Sequence, residues 1–297
     1  MAELPFVSSP PSDAAAAERV AHCAAQQWGL PAPAHLRTGM NVLFVAGEHT
    51  VLRVSRTNAA PAQAVWLHRE LAKRGVRVPR MLRDEPFEAE GLAVFALERI
   101  APSGPIDWRR VGEMVRAVHA WPVEEVAAHM VLPRPEHFPW WQVRTLLADV
   151  DDRLDAPAEA GLLDAIDAHG EWVEHVTARV VCHGDVHPGN VLQSADGPVL
   201  LDWDLVCWGP PAWDHAPLLT WAQRWGGDPA VHPSFTDGYG GSLAADPLAV
   251  SLAVMRNVAA TLMRVRAGRW DQTAAAEAER RLRYWRGELG APQWRAQ

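Results

Sequence analysis

The chain is short of cysteine, of basic charge and of long apolar runs, and each shortage removes a class of function. Its three cysteines, Cys23, Cys182 and Cys207, are an odd number without CxxC spacing, so neither a disulfide framework nor a zinc cluster is expected. Acidic residues outnumber basic ones, 36 to 28, for a formal net charge of −8. That balance argues against general affinity for nucleic acid or anionic membranes. The opening stretch MAELPFVSSPPSD has neither a basic n-region nor an apolar h-region, so no secretory signal is read there. The longest late apolar stretch, LAVSLAVMRNVAATLM, is broken by Arg256 and Asn257 and reads as a buried helix and not as a membrane span. GxxxxGK[ST], GxSxG and HExxH motifs are all missing. A reduced, cytoplasmic protein is expected, a monomer or homodimer with no nucleic-acid or membrane partner.

What is present suits one large domain or two lobes: 297 residues, 48% hydrophobic and 22% charged. Residues 13–28 read as a helix with an aspartate N-cap, stopped by Gly29 and Pro31. The β-rich runs NVLFV and TVLRV flank the turn AGEH and predict a hairpin. A helix over 62–75 follows, and then GLAVFALERI, which reads as a further strand pair. A Pro/Gly break at 101–105 ends this small α+β unit at a hinge near 98–105. The chain to about residue 178 is mostly helical. Short strands at RVV and PVLL follow, with helix again from about Leu218.

The chemistry concentrates in CHGDVHPGNVL, Cys182 to Leu192, followed at once by LLDWD, Leu200 to Asp204. Transfer of a phosphoryl group from ATP needs a carboxylate to orient or deprotonate the acceptor hydroxyl, oxygen ligands for Mg²⁺ and a cation near the phosphates. Asp185, Asn190 and Asp202 supply base, ligand and ligand in that order, and carboxylate and amide oxygens suit Mg²⁺. The same residue types suit a two-metal phosphoesterase, with His183, His187 and His215 as ligands and the pair Asp167 and His169 upstream. Against that reading, no GNH[DE] block occurs, and Asp167 lies on a helix-patterned segment.

The joint segment HGDVHPGNVL…LLDWDLVCWGPPAWDHA resembles the catalytic segment of the aminoglycoside phosphotransferase and choline kinase-like family, relatives of the protein kinases. VRAVHAW resembles the histidine-ended helix that precedes that family's helical lobe. The resemblance implies an α+β, protein-kinase-like two-lobe fold. Residues 1–100 would form a small antiparallel-sheet lobe for the nucleotide, and 101–297 a larger, mainly helical lobe with catalytic loop and acceptor site. It implies ATP and Mg²⁺ as cofactors, Asp185 as catalytic base, and Asn190 and Asp202 as metal ligands. His187 would contact the γ-phosphate, and His183 and Asp214 would brace the loop. Thr38, Gly39 and Asn41 would cover the phosphates, and backbone groups of Glu98 and Ile100 would take the adenine. Where the family carries a phosphate-gripping lysine paired to a helix glutamate, this chain has Arg53, with Glu70 as the expected partner; arginine keeps the charge but changes the geometry.

The resemblance implies an acceptor that is a small molecule with a hydroxyl group. Fifteen tryptophans are many for this length, and Trp203, Trp208, Trp213, Trp221 and Trp225 follow the metal aspartate, where related enzymes build the acceptor pocket. Trp203, Trp208 and Asp204 are the candidate substrate contacts. An aromatic and acidic pocket points to an antibiotic such as an aminoglycoside. The alternatives are a primary metabolite (amino alcohol, homoserine or sugar), a metallophosphoesterase, or a pseudokinase without chemistry.

Overall fold

The computed structural model of the chain describes residues 13–56 and 60–295; the opening stretch searched for a signal lies outside them as far as residue 12. Helix α1 (Ala14–Gln27) begins where the Asp13 carboxylate accepts the Ala15 N–H at 2.9 Å. Ala17, Ala21 and Ala24 fall on one helical face, and that small-residue stripe is buried against a sheet.

The sheet is built from β1 (Ala34–Thr38), β2 (Val42–Val45), β3 (Thr50–Ser55), β4 (Phe87–Ala89) and β5 (Leu92–Glu98), with α2 (Pro61–Lys73) between β3 and β4. Its order is β1-β2-β3-β5-β4, and every pair is antiparallel. The β2–β3 hairpin follows the predicted one. GLAVFALERI differs from expectation: it forms one strand, β5, whose hairpin partner β4 lies upstream. The reversal sits at Glu90 and Gly91, both at positive φ (53° and 71°), the backbone that a two-residue turn between twisted strands demands. Leu92 to Leu97 are then buried on both faces, and so read as a continuous apolar run.

Strand alternation decides which side chains reach the cleft. On β3, Leu52 and Val54 pack beneath α1, which sends Arg53 to the opposite face, 5.6 Å above the Phe95 ring.

The second lobe holds α3 (Trp108–His119), α4 (Val123–Ala127), α5 (Val143–Asp149) and α6 (Ala156–His169). The short strands β6 (Val180–Cys182), β7 (Val191–Ser194), β8 (Gly197–Leu200) and β9 (Cys207–Gly209) follow. Helices α7 (Ala212–Leu219), α8 (Trp221–Trp225), α9 (Val231–Tyr239), α10 (Pro247–Ala267) and α11 (Gln272–Trp285) complete it. Strand β6 pairs with β9 and β7 with β8. Helix α10 is long and apolar enough to cross a membrane by length and composition alone. In the fold it is the core helix of this lobe, with Leu252, Val258 and Leu262 fully buried. Helices α3 and α9 cross at Gly112 and Gly238; a Cβ on either would lie 2.0 or 1.8 Å from a carbonyl oxygen of the other helix. The connector between the lobes is tied down by Gln193, whose carbonyl takes the Ser103 N–H at 2.7 Å and whose side chain takes the Asp107 N–H at 3.0 Å. The architecture is the expected one, a small antiparallel-sheet lobe followed by a mainly helical one.

Candidate active site

Strand β6 delivers the chain into the loop from His183 to Asn190, and the buried carboxylate of Asp214 on α7 fixes its shape. Asp214 accepts the backbone N–H groups of His183 and Gly184, each at 2.8 Å, and faces His119 Nε2 at 3.1 Å. Burial alone would raise the Asp214 carboxyl, but its contacts with His119 hold it below the ordinary value. Burial likewise works against charge on His119, yet the bond to Asp214 outweighs it and lifts the imidazole to about 9. Gly184 turns at φ 96°, and any Cβ there would lie 2.0 Å from the Leu205 oxygen. The His183 ring accepts the Asp185 N–H at Nδ1 and so donates from Nε2 to the Leu201 oxygen at 2.9 Å. It thereby fastens the loop to the end of β8. His183 and Asp214 thus both act on the loop's backbone.

Asp185 projects from this frame into a ring of donors. Asn190 Nδ2 bonds its carboxylate at 3.1 Å and its carbonyl at 3.0 Å, and His187 Nε2 stands 3.3 Å from the second oxygen. The guanidinium of Arg256, from α10, pairs with the first oxygen. Burial would push the carboxyl up, but His187 and Arg256 outweigh it and hold Asp185 well below the usual carboxylate range. The motif spacing does not reveal Arg256 as a site residue. The signal for it was its position: an arginine interrupting an otherwise apolar core helix needs a partner.

The β7–β8 hairpin carries the chain from Asn190 to Asp202, which sits in the left-handed region (φ 58°, ψ 69°) although it is not a glycine. Such backbone costs energy and is held by its surroundings. Burial first, and the neighbouring Asp204 charge second, push the Asp202 carboxyl up to about 6, with Arg53 opposing. Asp204 reaches across to the small lobe: it pairs with the Arg53 guanidinium and accepts Asn41 Nδ2 at 3.0 Å. The tip of the β1–β2 hairpin, containing Gly39 and Asn41, is therefore drawn over the carboxylates. Thr38 stands at its base, where its hydroxyl meets His35 Nε2 at 2.8 Å.

One expected pairing is corrected. Glu70 does not meet Arg53; it bonds Lys73 at 2.5 Å and Arg74 at 2.8 Å on and just beyond its own helix. The α2 side chain that feels the charges of Arg53 and Asp204 is His68. Its Nδ1 donates to the Pro79 oxygen at 3.1 Å, and burial above all lowers it to about 4. Two positions along a helix is a rotation of about 200°, so a register slip of two turns a side chain from the cleft to the opposite face. Lys73, the chain's single lysine, is exposed at the end of α2, so the cation on β3 is necessarily arginine.

At the connector, β5 ends with Glu98, whose N–H is taken by the Arg80 oxygen at 2.9 Å; Arg99 N–H is taken by His49. Ile100 lies just beyond, partly exposed.

Below the carboxylates opens a cavity of about 510 Å³ whose lining includes Asp185, Asp202, Asp204 and Arg256. Its aromatic walls are Trp140, Trp141, Trp213, Trp221 and Trp225. Trp203 and Trp208, expected as acceptor contacts, do not line it. Trp203 is buried, bonds the Leu200 oxygen at 3.3 Å and packs on the His183 ring at 4.4 Å. Trp208 lies under the Arg134 and Arg179 guanidiniums at 5.3 and 6.0 Å. The side chains invoked for a two-metal hydrolase do not converge. His215 is packed between Phe235 and Tyr239, Asp167 pairs with Arg144 at 2.7 Å on the surface, and His169 bonds Ser251. A buried trio of His119, Cys182 and Asp214 has metal-ligand spacing, but its histidine and carboxylate are spent on Tyr239 and on the loop backbone.

A two-lobe kinase-like fold with a carboxylate-rich loop beneath a glycine-containing hairpin defines a phosphotransferase. Residues 40–252 match the family described as the phosphotransferase enzyme family, and the chain belongs to it. It is a phosphotransferase. Among solved structures, a spectinomycin phosphotransferase in complex with ADP and spectinomycin is similar with a TM-score of 0.64 and 16% identity, over 89% of this chain and 90% of that one. A choline/ethanolamine kinase family protein from Mesorhizobium loti gives 0.61 and 19%, over 88% of each. A macrolide 2′-phosphotransferase from Brachybacterium faecium gives 0.53 and 20%, over 94% and 99%. At these identities the likeness establishes the fold. No curated protein sequence matches the chain.

Proposed function

We propose that Asp185 is the catalytic base of this phosphotransferase, that Asn190 and Asp202 hold Mg²⁺, and that Arg53 and the hairpin tip steady the phosphates of ATP. The observation that carries the reading is the convergence of Asp185, Asn190 and Asp202 beneath Asn41 and Arg53. In the transfer, the acceptor oxygen bonds the γ-phosphorus while the bond from that phosphorus to the β,γ-bridging oxygen breaks. ADP departs with the electron pair, and the hydroxyl proton passes to Asp185.

The donor set fits magnesium. Asn190 spends its amide N–H groups on Asp185, which leaves its oxygen for a cation. The Asp202 carboxyl is raised by desolvation and by the neighbouring Asp204 charge, the state a hard dication relieves. Bound there, Mg²⁺ supplies charge neutralisation at the β- and γ-phosphates. The residues do the positioning: Arg256 and Asn190 aim the Asp185 carboxylate, and His187 at 3.3 Å from it can meet the transferring group. Arg53 exchanges Asp204 for phosphate oxygens, as a guanidinium fork can. Glu98, at the end of β5, and Ile100, just beyond it, offer backbone groups to the base.

Calorimetric titration of Mg·ATP with and without EDTA tests this. Magnesium-dependent binding is expected. Asp185→Ala should abolish turnover with nucleotide affinity within a few-fold, whereas Asp202→Ala should weaken Mg·ATP binding itself. Loss of nucleotide binding in Asp185→Ala would mean that its role is misassigned.

A further inference from the structure

The distal half of the cavity has a charge opposite to that of its catalytic end. The carboxylates among its lining residues are Asp185, Asp202 and Asp204, all of the catalytic segment; of the arginines, Arg256 lies beside them, whereas Arg264 and Arg281 line it away from that segment. Arg256 is engaged with Asp185. Arg281 is buried, pairs with Glu277 at 3.0 Å and lies 4.7 Å over the Trp225 ring. Glu277 is itself shared with Arg280 at 3.4 Å, so one carboxylate serves two guanidiniums. Arg264 is different: half-buried at the cavity wall, it takes no carboxylate partner among the described residues.

Arg256, Ala260 and Arg264 are spaced by four along α10 and so share one face. At 1.5 Å per residue, Arg264 stands about 12 Å along the helix axis from Arg256. Between them the wall is apolar, with Ala260, Met263, Pro217, and Trp221 and Trp225 stacked at 6.2 Å. A polycation entering here would meet Arg264 and Arg281, and no carboxylate lines the cavity at that end to receive it, a repulsion that selects against it.

We infer that the acceptor is an amphipathic hydroxy compound with an apolar or aromatic body and an oxyanion held by Arg264, about two turns of α10 beyond the arginine that holds Asp185. This rests on the phosphotransferase reading above, because Asp185 is what places the hydroxyl. The tryptophans desolvate the body, and Arg264 forks onto the oxyanion. Among antibiotics and metabolites alike, the cavity selects for acids and against polyamines.

The test is a tryptophan-fluorescence titration with ω-hydroxydecanoate, its methyl ester, ω-aminodecanol and kanamycin, alongside a Mg·ATP titration of the same protein. The acid should bind about tenfold more tightly than the ester, and the two cations more weakly still. Arg264→Gln should bring the acid to the level of the ester, and Arg264→Glu should turn the preference toward ω-aminodecanol. Tighter binding of either cation, survival of the acid preference in Arg264→Gln, or no binding of the acid overturns the inference. Failure of the phosphotransferase reading registers separately, as loss of Mg·ATP binding in the unmodified protein.

Discussion

The guanidinium of Arg256, on the core helix α10, closes on the carboxylate of Asp185 across 71 residues of sequence and lies 5.7 Å above the Trp213 ring. The pair joins the rigid core of the helical lobe to the base. A carboxylate held on one side by Arg256 and on the other by Asn190 has little rotational freedom, which is what orientation of an acceptor hydroxyl requires. Arg256→Ala should lower kcat about 100-fold while the KM for ATP changes little. Arg256→Lys should recover only part of the loss, since an ammonium lacks the planar fork. Steady-state kinetics separate the two parameters, and a collapse of ATP affinity instead would place Arg256 on the nucleotide.

Stability should depend on pH through His119. Its folded value of about 9 lies above the ordinary 6.5, so the folded state binds the proton more tightly. The stabilisation is complete below about 6.5 and is lost as pH rises through about 9. The groups facing the ring are Asp214, Cys182, Tyr239 and His215. Of these, Asp214 is held low, whereas burial raises Cys182 and Tyr239, so Asp214 is the anionic partner. The contribution is on the order of 3 kcal/mol at most. Thermal unfolding should show Tm falling from pH 6.5 to 9 in the native chain. In His119→Gln, Tm should be lower at pH 6.5 and flatter across the same window.

The small lobe gives a second kinetic test. Glu70 is tied to Lys73 and Arg74, so Glu70→Gln should leave the KM for ATP within about twofold, the range of a surface ion pair. Arg53→Ala removes the cation from the cleft and should raise it tenfold or more, at about 1.4 kcal/mol per decade. Measured KM values for the two variants distinguish this arrangement from an Arg53–Glu70 pair, in which both would rise.

What could be read from the sequence follows from how far apart the cooperating residues lie. Asp185, Asn190 and Asp202 fall within one loop and one hairpin, so their proximity was legible from spacing. The β2–β3 hairpin was local in the same way, with AGEH between two β-rich runs. The pairing of Arg53 with Asp204 and not Glu70 was not legible, because it depends on how α2 is rotated against β3 and on Asp204 arriving from the other lobe. Nor were the cavity walls: Trp203 and Trp208 stand beside Asp202 in sequence, yet packing turns them inward. Trp140 and Trp141 come from a segment before α5, and Arg264 from the far turn of α10. Arg256 was visible as an interruption in an apolar helix, but its partner lay 71 residues away.

Gly184 offers a test of the loop itself. Two glycines near the site adopt positive φ, Gly184 at 96° and Gly197 at 117°. A Cβ at Gly197 meets nothing within 4 Å, whereas one at Gly184 would lie 2.0 Å from the Leu205 oxygen and 2.6 Å from its carbon. Gly197→Ala should therefore incur backbone strain alone, about 1–2 kcal/mol, with kcat unchanged in the folded protein. Gly184→Ala adds an overlap that relaxes only if the loop moves, and the Gly184 N–H is held by Asp214 at 2.8 Å. Moving the loop displaces Asp185, the next residue, so Gly184→Ala should lower Tm further and also lower kcat in the fraction that stays folded. Calorimetry and active-site-normalised turnover on both variants make the comparison. Equal behaviour of the two alanines would show that the loop tolerates the overlap and that its close approach to Leu205 does not hold Asp185 in place.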